Sequence, residues 1–432
     1  MRRVAITGIG VVSPLGHSAD EVFKAALAGR SAIHRLDTPF ARRLVSPIAA
    51  TVQFDGANHF EPAKLRMLDR VSQFALVAAR RALADSANLL SIADRERAGV
   101  FLGTGMGGIN TIDDGYQTLY GENSDRIKPF MILMGMHNAP AAWIGIEHGF
   151  TAPNLTYSTA CSSSAVAIGE AWLRLARGDL ELALAGGAEA PLAAGSMKAW
   201  EALRTVATID EADPSASCKP FSKNRSGMVL GEGAAMVLLE PWDRAIERRA
   251  TIHGEITGYG LTTDTGHITR PGVDGQAAAM RAALRSAVID ASAIDAINAH
   301  GTGTPANDGV ETAAIKAVFG SRAAAIPISA TKALHGHLLG ASAALELVLS
   351  LMAMRHGVAL PTMHLQAPDP ACDLDYVANE ARSGVAIRTM LSNSFAFGGT
   401  NAVLAFRGAP REKNGQKAVL RNTPMRGKLS NN

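Results

Sequence analysis

Short apolar runs alternate along the chain with longer alanine-rich stretches whose apolar residues recur at helical spacing. The apolar runs predict strands over 4–7, 100–103, 154–157 and 182–185, and a strand pair over 228–239 around Gly231. The helical spacing predicts helices over 19–28, 65–84, 161–177 and from Pro241 to about 249. In the second half the same patterns predict strands over 252–259, 296–299, 326–329 and 389–394, with helices over 275–288, 307–319 and 337–354. Alternating strands and helices with glycine at the turns favour an α/β fold of mostly parallel sheets buried between helices.

A loose internal duplication accompanies this alternation. The segments 158–176 and 329–352 each run from a short strand into an alanine-rich helix, and Gly-Thr-Gly occurs at 103–105 and again at 301–303. The similarity is too weak to establish a repeat by itself, but it places a boundary near residue 250. We therefore divide the chain into an N-terminal half of 1–250, a C-terminal half of 251–408 and a tail of 409–432.

Composition excludes several classes of protein. With 47% hydrophobic and 19% charged residues, the 432-residue chain is not a disordered one, and three dispersed cysteines form neither a disulfide scaffold nor a zinc motif. Residues 409–432 carry six basic side chains and one acidic one, so the net charge of +3 belongs to a polar, solvated tail and does not indicate nucleic-acid binding. No secretory signal is visible, and the most apolar helix carries Glu346, so we expect a cytoplasmic protein that does not span a membrane.

Cys161 is the first candidate for chemistry. It lies among small residues in Ser-Thr-Ala-Cys-Ser-Ser-Ser, between a predicted strand and a predicted helix. The positive end of a helix dipole favours the thiolate form, and small neighbours let a substrate approach the sulfur. A buried structural cysteine is the alternative that these residues leave open. Cys218 and Cys372 stand in polar, loop-like segments without the strand and helix.

Two histidines and a lysine stand at similar junctions in the second half. His300 follows a predicted strand and precedes Gly-Thr-Gly-Thr, while Lys332 and His337 lie in a small-residue segment before an apolar helix that carries Glu346. Glu346 is the natural partner of a buried lysine, although such a pair can be purely structural. A thiol with two imidazoles indicates acyl chemistry through a thioester, with the imidazoles donating hydrogen bonds to a developing enolate or oxyanion.

Longer motifs in a fixed order now identify a family. They are TACSS, GGAEA, GEGAAMVLLE, NAHGTGTPAND, TKALHGHLLGASAALE and NSFAFGGTN. Nearly the whole chain except its last twenty or so residues resembles the β-ketoacyl-acyl carrier protein synthases, the type II-like condensing enzymes of the thiolase superfamily. The resemblance implies a five-layered αβαβα fold built from two pseudo-repeated halves, and a dimer.

The resemblance also implies a mechanism. Cys161 accepts an acyl chain from an acyl carrier protein, and His300 and His337 hold the malonyl thioester and stabilise its enolate. Lys332 supports the site and pairs with Glu346. The resemblance further assigns Phe397 to the oxyanion hole and to gating, and Thr302 and Thr304 to the phosphopantetheine arm. That arm arrives on the carrier protein, so neither a dissociable cofactor nor a metal is expected.

Further residues are assigned by the same resemblance. Met106 and Trp200 occupy positions that line the acyl pocket, and Arg66, Arg126 and Arg204 occupy positions of carrier-docking cations. Each arginine can equally be an ordinary solvated charge. Three positions depart from the pattern. Ala396 stands where the gating turn usually has glycine, and Met228 where many members have phenylalanine. Trp200 is larger than the aromatic residue usual at its position, so we expect a shorter or differently shaped acyl chain.

Several alternatives share these motifs. A specialised polyketide, aryl-polyene or nodulation-type ketosynthase performs the same chemistry on another substrate. A non-catalytic chain-length subunit, paired with an active ketosynthase in a heterodimer, would lack the cysteine. A thiolase that uses coenzyme A is disfavoured by the histidine and glycine-rich motifs, and a binding module without catalysis leaves the reactive residues unexplained.

Overall fold

The computed structural model describes residues 1–87 and 90–409. The tail prediction for 409–432 therefore lies outside the described residues, apart from Ala409. None of the helices in these two ranges has the length and the apolar character that a bilayer crossing requires.

In the first half, the strands are β1 (Val4–Val12), β2 (Ile33–Arg35), β3 (Ile48–Ala50), β4 (Ala98–Gly103), β5 (Asn154–Tyr157), β6 (Leu182–Glu189) and β7 (Gly233–Pro241). The helices are α1 (Ala19–Leu27), α2 (Pro62–Leu65), α3 (Arg70–Asp85), α4 (Ile92–Glu96), α5 (Ile109–Tyr116), α6 (Met131–Gly135), α7 (Ala139–His148), α8 (Ser163–Arg177), α9 (Ala194–Ala202) and α10 (Trp242–Glu247).

In the second half, the strands are β8 (Gly254–Thr263), β9 (Ala296–Asn298), β10 (Ile328–Ser329), β11 (Val358–Ala359), β12 (Arg382–Ser383), β13 (Thr389–Phe395) and β14 (Thr400–Gly408). The helices are α11 (Val273–Ala287), α12 (Asp308–Phe319), α13 (Lys332–His335) and α14 (Ser342–His356).

The main sheet has ten strands in the order β10-β9-β13-β14-β8-β1-β7-β6-β4-β5. It consists of two half-sheets with the same internal order, β1-β7-β6-β4-β5 and β8-β14-β13-β9-β10, and the same strand directions. The halves meet where Val4–Ile6 of β1 pairs with Gly254–Ile256 of β8. Five of the nine pairings within this main sheet are antiparallel, so the expectation of mostly parallel sheets is wrong. A short turn joins β13 to β14, and such a turn can only connect antiparallel strands.

Helices and half-sheets form five layers. Helix α3 covers one half-sheet and α11 covers the other, while α8 and α14 pack against each other between them. Helix α14 is apolar on all sides and buried along most of its length, which suits a helix in the middle layer. The predicted α/β architecture of five layers is therefore present.

The ends of several elements differ from the prediction. Short 3₁₀ turns, at Ala160–Ser162 and Leu339–Ala341, precede α8 and α14, so Cys161 and His337 stand before the regular helices. The predicted helix over 65–84 is broken, because the Asp69 side chain accepts the Val71 N–H and caps α3. The predicted strand pair over 228–239 has one regular strand, β7, since Met228 and Leu230 form only isolated bridges.

Candidate active site

Cys161 lies in the turn that leads from β5 into α8. The preceding residue, Ala160, has a left-handed backbone with φ of 49°, and Cys161 itself is 4% exposed. Its side chain belongs to an apolar cluster that includes Met197, Met228 and Leu339. The sulfur is therefore surrounded mainly by aliphatic side chains.

Burial raises the pKa of the Cys161 thiol to about 12. The Lys332 ammonium and the backbone N–H groups of Phe397 and Cys161 lower this pKa, but burial outweighs them. The expectation that the helix terminus favours the thiolate is therefore wrong for the resting protein. The same two N–H groups converge on the sulfur, which places two hydrogen-bond donors beside any carbonyl oxygen of a group carried there.

His300 and His337 face Cys161. The Cys161 sulfur and one ring nitrogen of each histidine lie within 4.8 Å of one another. The two rings meet edge to face, with their centroids 5.6 Å apart. His337 Nδ1 accepts the Leu339 N–H at 3.1 Å and lies 2.8 Å from Ser342 Oγ. The ring proton of neutral His337 is therefore on Nε2, which has no hydrogen-bond partner among the described residues.

Both imidazoles are neutral. Burial, and next the Lys332 ammonium, hold the pKa of His300 and of His337 well below its ordinary value. One thiol and two imidazoles are also a set of ligands that can bind zinc. The Lys332 ammonium, however, disfavours a positive charge on either imidazole, and it disfavours a bound dication for the same reason. The arrangement suits hydrogen-bond donation to a substrate oxygen.

Lys332 is 1% exposed and has two partners. Its Nζ lies 2.5 Å from Glu346 Oε1 and donates to the His300 carbonyl oxygen at 2.6 Å. Burial raises the pKa of Glu346 to about 6 despite the nearby ammonium. The ion pair thus joins α13 to α14 and fixes the backbone that carries His300.

A second carboxylate, Glu311, also holds His300 and was not predicted from the sequence. Glu311 accepts the N–H groups of His300 at 2.8 Å and Gly301 at 2.9 Å, and the Asn393 amide donates to it at 3.1 Å. In the sequence Glu311 is indistinguishable from the acidic residues that favour the first turn of any helix.

A cavity of about 230 Å³ connects these groups to the surface. Cys161, His300 and His337 line its inner end. Thr302 and Thr304 line its wall, with their hydroxyl oxygens 2.9 Å apart. The cavity is polar along this wall and apolar around the thiol.

Phe397 stands in the turn between β13 and β14 and lines the same cavity. Its ring is stacked on Trp200, with centroids 6.2 Å apart. Gly398 and Gly399 follow with φ of 85° and 81°, values that favour glycine. Ala396, beside them, packs against the Cys161 cluster.

The remaining predicted residues are placed as follows. Met106 and Trp200 pack against the apolar cluster that contains Cys161. Arg204 is exposed between Leu203 and Thr205, which line the cavity, whereas Arg66 and Arg126 are exposed and do not line it.

Arg270 lines the mouth of the cavity and was not predicted from the sequence. Its only sequence signal is a glycine- and proline-containing polar loop. Cys218 and Cys372 lie outside helices and strands, as predicted, but they are 0% and 2% exposed and belong to other apolar clusters, so the expectation of a polar setting is wrong for both. Tertiary packing covers segments that are locally polar.

Comparison with known proteins gives consistent results. Residues 1–245 match the family model for the β-ketoacyl synthase N-terminal domain, and residues 253–366 match that for the C-terminal domain. The 3-oxoacyl-[acyl-carrier-protein] synthase 2 of Coxiella burnetii is 40% identical over 406 residues, which cover 93% of this chain and 98% of that protein. Nodulation protein E of Rhizobium meliloti is also 40% identical over 406 residues, covering 94% and 99%.

A solved structure is similar over almost the same span. The ketosynthase complex AntDE:AntF, described as a type II PKS acyl-carrier protein in complex with its ketosynthase bound to the hexaketide, matches with a TM-score of 0.88 and 30% identity, covering 95% of this chain and 100% of that one. The predicted family and the thiolase-like fold are confirmed. The chain belongs to the β-ketoacyl synthase family of acyl-transferring condensing enzymes.

Proposed function

We propose that this chain catalyses decarboxylative condensation between a Cys161-bound acyl group and malonyl-acyl carrier protein, giving a 3-oxoacyl-carrier protein. The convergence of the thiol with two neutral imidazoles is the observation that supports this most directly. In the first step Cys161 Sγ forms a thioester with the acyl group, and its proton goes to the departing carrier thiolate. A resting thiol with a raised pKa suits this coupled proton transfer.

In the second step the malonyl thioester loses carbon dioxide. The electron pair of the broken bond passes into an enolate, whose oxygen accepts hydrogen bonds from His300 and from Nε2–H of His337. The enolate carbon then attacks the acyl carbonyl, and Sγ leaves as a thiolate, which takes up a proton from water. The N–H groups of Cys161 and Phe397 would stabilise the oxyanion formed in this attack. Lys332, paired with Glu346, would keep both imidazoles neutral and position His300.

We propose an acyl carrier protein as the substrate-bearing partner. The thiol lines the cavity, and Thr302 and Thr304 offer hydroxyl groups to a phosphopantetheine arm along its wall. Arg270 lines the cavity and Arg204 is exposed beside it, so two positive charges outnumber that of Asp264, which also lines the cavity, and this suits an acidic carrier. Arg66 and Arg126 are further docking candidates. No dissociable cofactor is required, since the arm arrives on the carrier.

A homodimer is the second part of the proposal on partners. Exposed apolar side chains are concentrated in one stretch, at Phe130, Ile132, Leu133, Met136 and Ile146, with exposed fractions from 47% to 71%. The stretch precedes β5, whose outer edge is unpaired within the described chain. Such a surface beside an open strand edge suits association with a second copy. We place the enzyme in the cytoplasm, where carrier-protein substrates are made.

Fatty acid elongation and a specialised pathway remain the two candidate settings. The equal identity to an acyl-carrier-protein synthase and to a nodulation protein favours neither. Trp200 in the apolar wall would limit chain length or shape. The presence of Cys161 argues against a non-catalytic chain-length subunit.

The test is the intact mass of the protein after mixing with acyl-carrier proteins of graded length. A gain of one acyl group, absent in Cys161→Ala, is expected, and the preferred length separates the two settings. Absence of any gain with straight-chain, polyenoyl and aryl donors would refute the proposal.

A further inference from the structure

Glu189 is a buried carboxylate that the reaction proposed above does not use. It ends β6 and is 0% exposed. Its Oε2 accepts the N–H of Gly105 at 2.6 Å and that of Gly340 at 2.9 Å. Its Oε1 accepts the N–H of Met106 at 2.9 Å and the hydroxyl of Thr104 at 3.2 Å. One carboxylate therefore joins a loop of the first half to a turn of the second.

Within residues 1–87 and 90–409, the charge of Glu189 has no oppositely charged partner. Among the described residues no lysine or arginine forms an ion pair with it, and backbone N–H groups and one hydroxyl satisfy it. Burial raises its pKa to about 7, because these donors only partly offset the loss of water. A buried charge held in this way has a high cost unless its geometry is kept.

The turn that Glu189 holds also orients His337. Gly340 follows Leu339, whose N–H donates to His337 Nδ1 and thereby keeps the ring proton on Nε2. Leu339 is left-handed with φ of 43°. A Cβ on Gly340 would lie 2.5 Å from the Gly105 nitrogen, so the loop and the turn touch directly. Any shift at Glu189 therefore moves the group that fixes the His337 tautomer.

The other loop held by Glu189 forms part of the acyl wall. Met106 packs against the apolar cluster of Cys161, and Leu339 belongs to that cluster. Glu189 thus sets the distance between the acyl wall and the His337 turn.

Building on the condensation proposed above, we propose that Glu189 is a positioning residue for the decarboxylation and condensation step, acting through His337, and that loading of Cys161 depends on it far less. Loading relies on the sulfur and on the N–H groups of Cys161 and Phe397, and none of these donates to Glu189. The Glu189 charge acts on Cys161 only through space, where it adds to the effect of burial that raises the pKa of the thiol. Loading is measured with a short acyl group, so that it does not depend on the acyl wall that Met106 forms. Glu189→Gln keeps the size of the side chain but directs an NH₂ group at N–H donors, so one loop must move away.

The experiment measures two steps in the purified full chain. Loading is followed by intact mass with an acyl-carrier protein, and carbon dioxide release is followed after malonyl-carrier protein is added to the loaded enzyme. Glu189→Gln is expected to lower carbon dioxide release by about tenfold or more, because a ~1 Å misplacement of reacting groups can cost ~100-fold, while loading stays within about twofold to threefold.

Glu240→Gln is the matched control. Glu240 is also a 0% exposed carboxylate at a strand end, but it pairs with Arg244 and Arg248, away from the cavity. Glu240→Gln is expected to lower the midpoint of thermal unfolding without changing the ratio of carbon dioxide release to loading. If Glu189→Gln also leaves the ratio of carbon dioxide release to loading as it is in the wild type, the positioning role is overturned.

A second variant covers a failure of Glu189→Gln to fold. Thr104→Val removes one donor and leaves the carboxylate, so a smaller fall in carbon dioxide release relative to loading is expected, and an unchanged ratio would then overturn the proposal. A wild-type chain that neither loads nor releases carbon dioxide would refute the proposed function itself.

Discussion

Replacing Lys332 with methionine removes the positive half of a buried ion pair. Lys332 and Glu346 are 1% and 0% exposed, so neither charge is solvated by bulk water. Loss of the ammonium leaves the Glu346 carboxylate uncompensated and takes a donor from the His300 carbonyl oxygen. Breaking one partner of such a pair costs about 3–5 kcal/mol, a large part of the ~5–15 kcal/mol that stabilises most proteins.

The double variant Lys332→Met with Glu346→Gln separates charge from packing. Because both charges are gone, we expect most of the lost free energy of unfolding to return, as measured by urea unfolding at pH 8. Condensation should stay slow in both variants, since Lys332 also positions His300. A double variant as unstable as the single one would refute the reasoning, because the loss would then not come from an unpaired carboxylate.

The pH dependence gives a second check on the same variant. Burial already raises the pKa of Glu346 to about 6, and removing the ammonium that lowers it raises it further. An acid whose pKa is higher in the folded than in the unfolded state stabilises the fold as pH falls. The destabilisation of Lys332→Met should therefore shrink between pH 8 and pH 5, and a constant penalty over that range would contradict the assignment.

Three further predictions concern the thiol, the acyl wall and the cavity mouth. Iodoacetamide should label Cys161 before the other two cysteines, because among the described cysteines it alone lines the cavity. The labelling rate should rise about tenfold per pH unit from pH 7 to pH 9, since the pKa of Cys161 is raised. Faster labelling of another cysteine in peptide maps would contradict this prediction. Trp200→Ala should extend loading to longer acyl chains by intact mass, and an unchanged length profile would count against a role in the wall. Arg204→Ala and Arg270→Ala should each raise KM for carrier-bound substrates up to about tenfold with little change in kcat, whereas Arg285→Ala, on the outer helix α11, serves as the control and should not; equal effects of all three would exclude a docking role.

The sequence predicted those features that depend on neighbouring residues. The junctions that carry Cys161, His300 and His337 follow from short apolar runs that end at small residues and precede helices. The motif resemblance predicted the five layers and the family, and both are confirmed. The pairing of Lys332 with Glu346 was foreseeable because a lysine in an apolar segment needs a carboxylate nearby.

Features that depend on distant parts of the chain were not predictable. Glu311 and Glu189 bind backbone N–H groups, which every residue carries, so no residue type marks their partners. Glu189 lies in the GGAEA motif, but the motif does not show what the carboxylate binds. The antiparallel pairing of β7 and β14 with their neighbours depends on tertiary contacts, which the local sequence pattern does not show. The raised pKa of Cys161 and the burial of Cys218 and Cys372 result from tertiary packing over polar local sequence.

The pairing of α8 with α14 in the middle layer has a consequence for how the enzyme fails. The thiol stands just before one of these helices and the His337 donor just before the other, so neither half of the chain holds a complete site. Catalytic activity therefore requires the contact between the halves, and folded helices alone are not sufficient for it. Under mild heating or low denaturant, condensation should cease while circular dichroism still records intact helices, because slight loosening between packed elements takes less free energy than their unfolding.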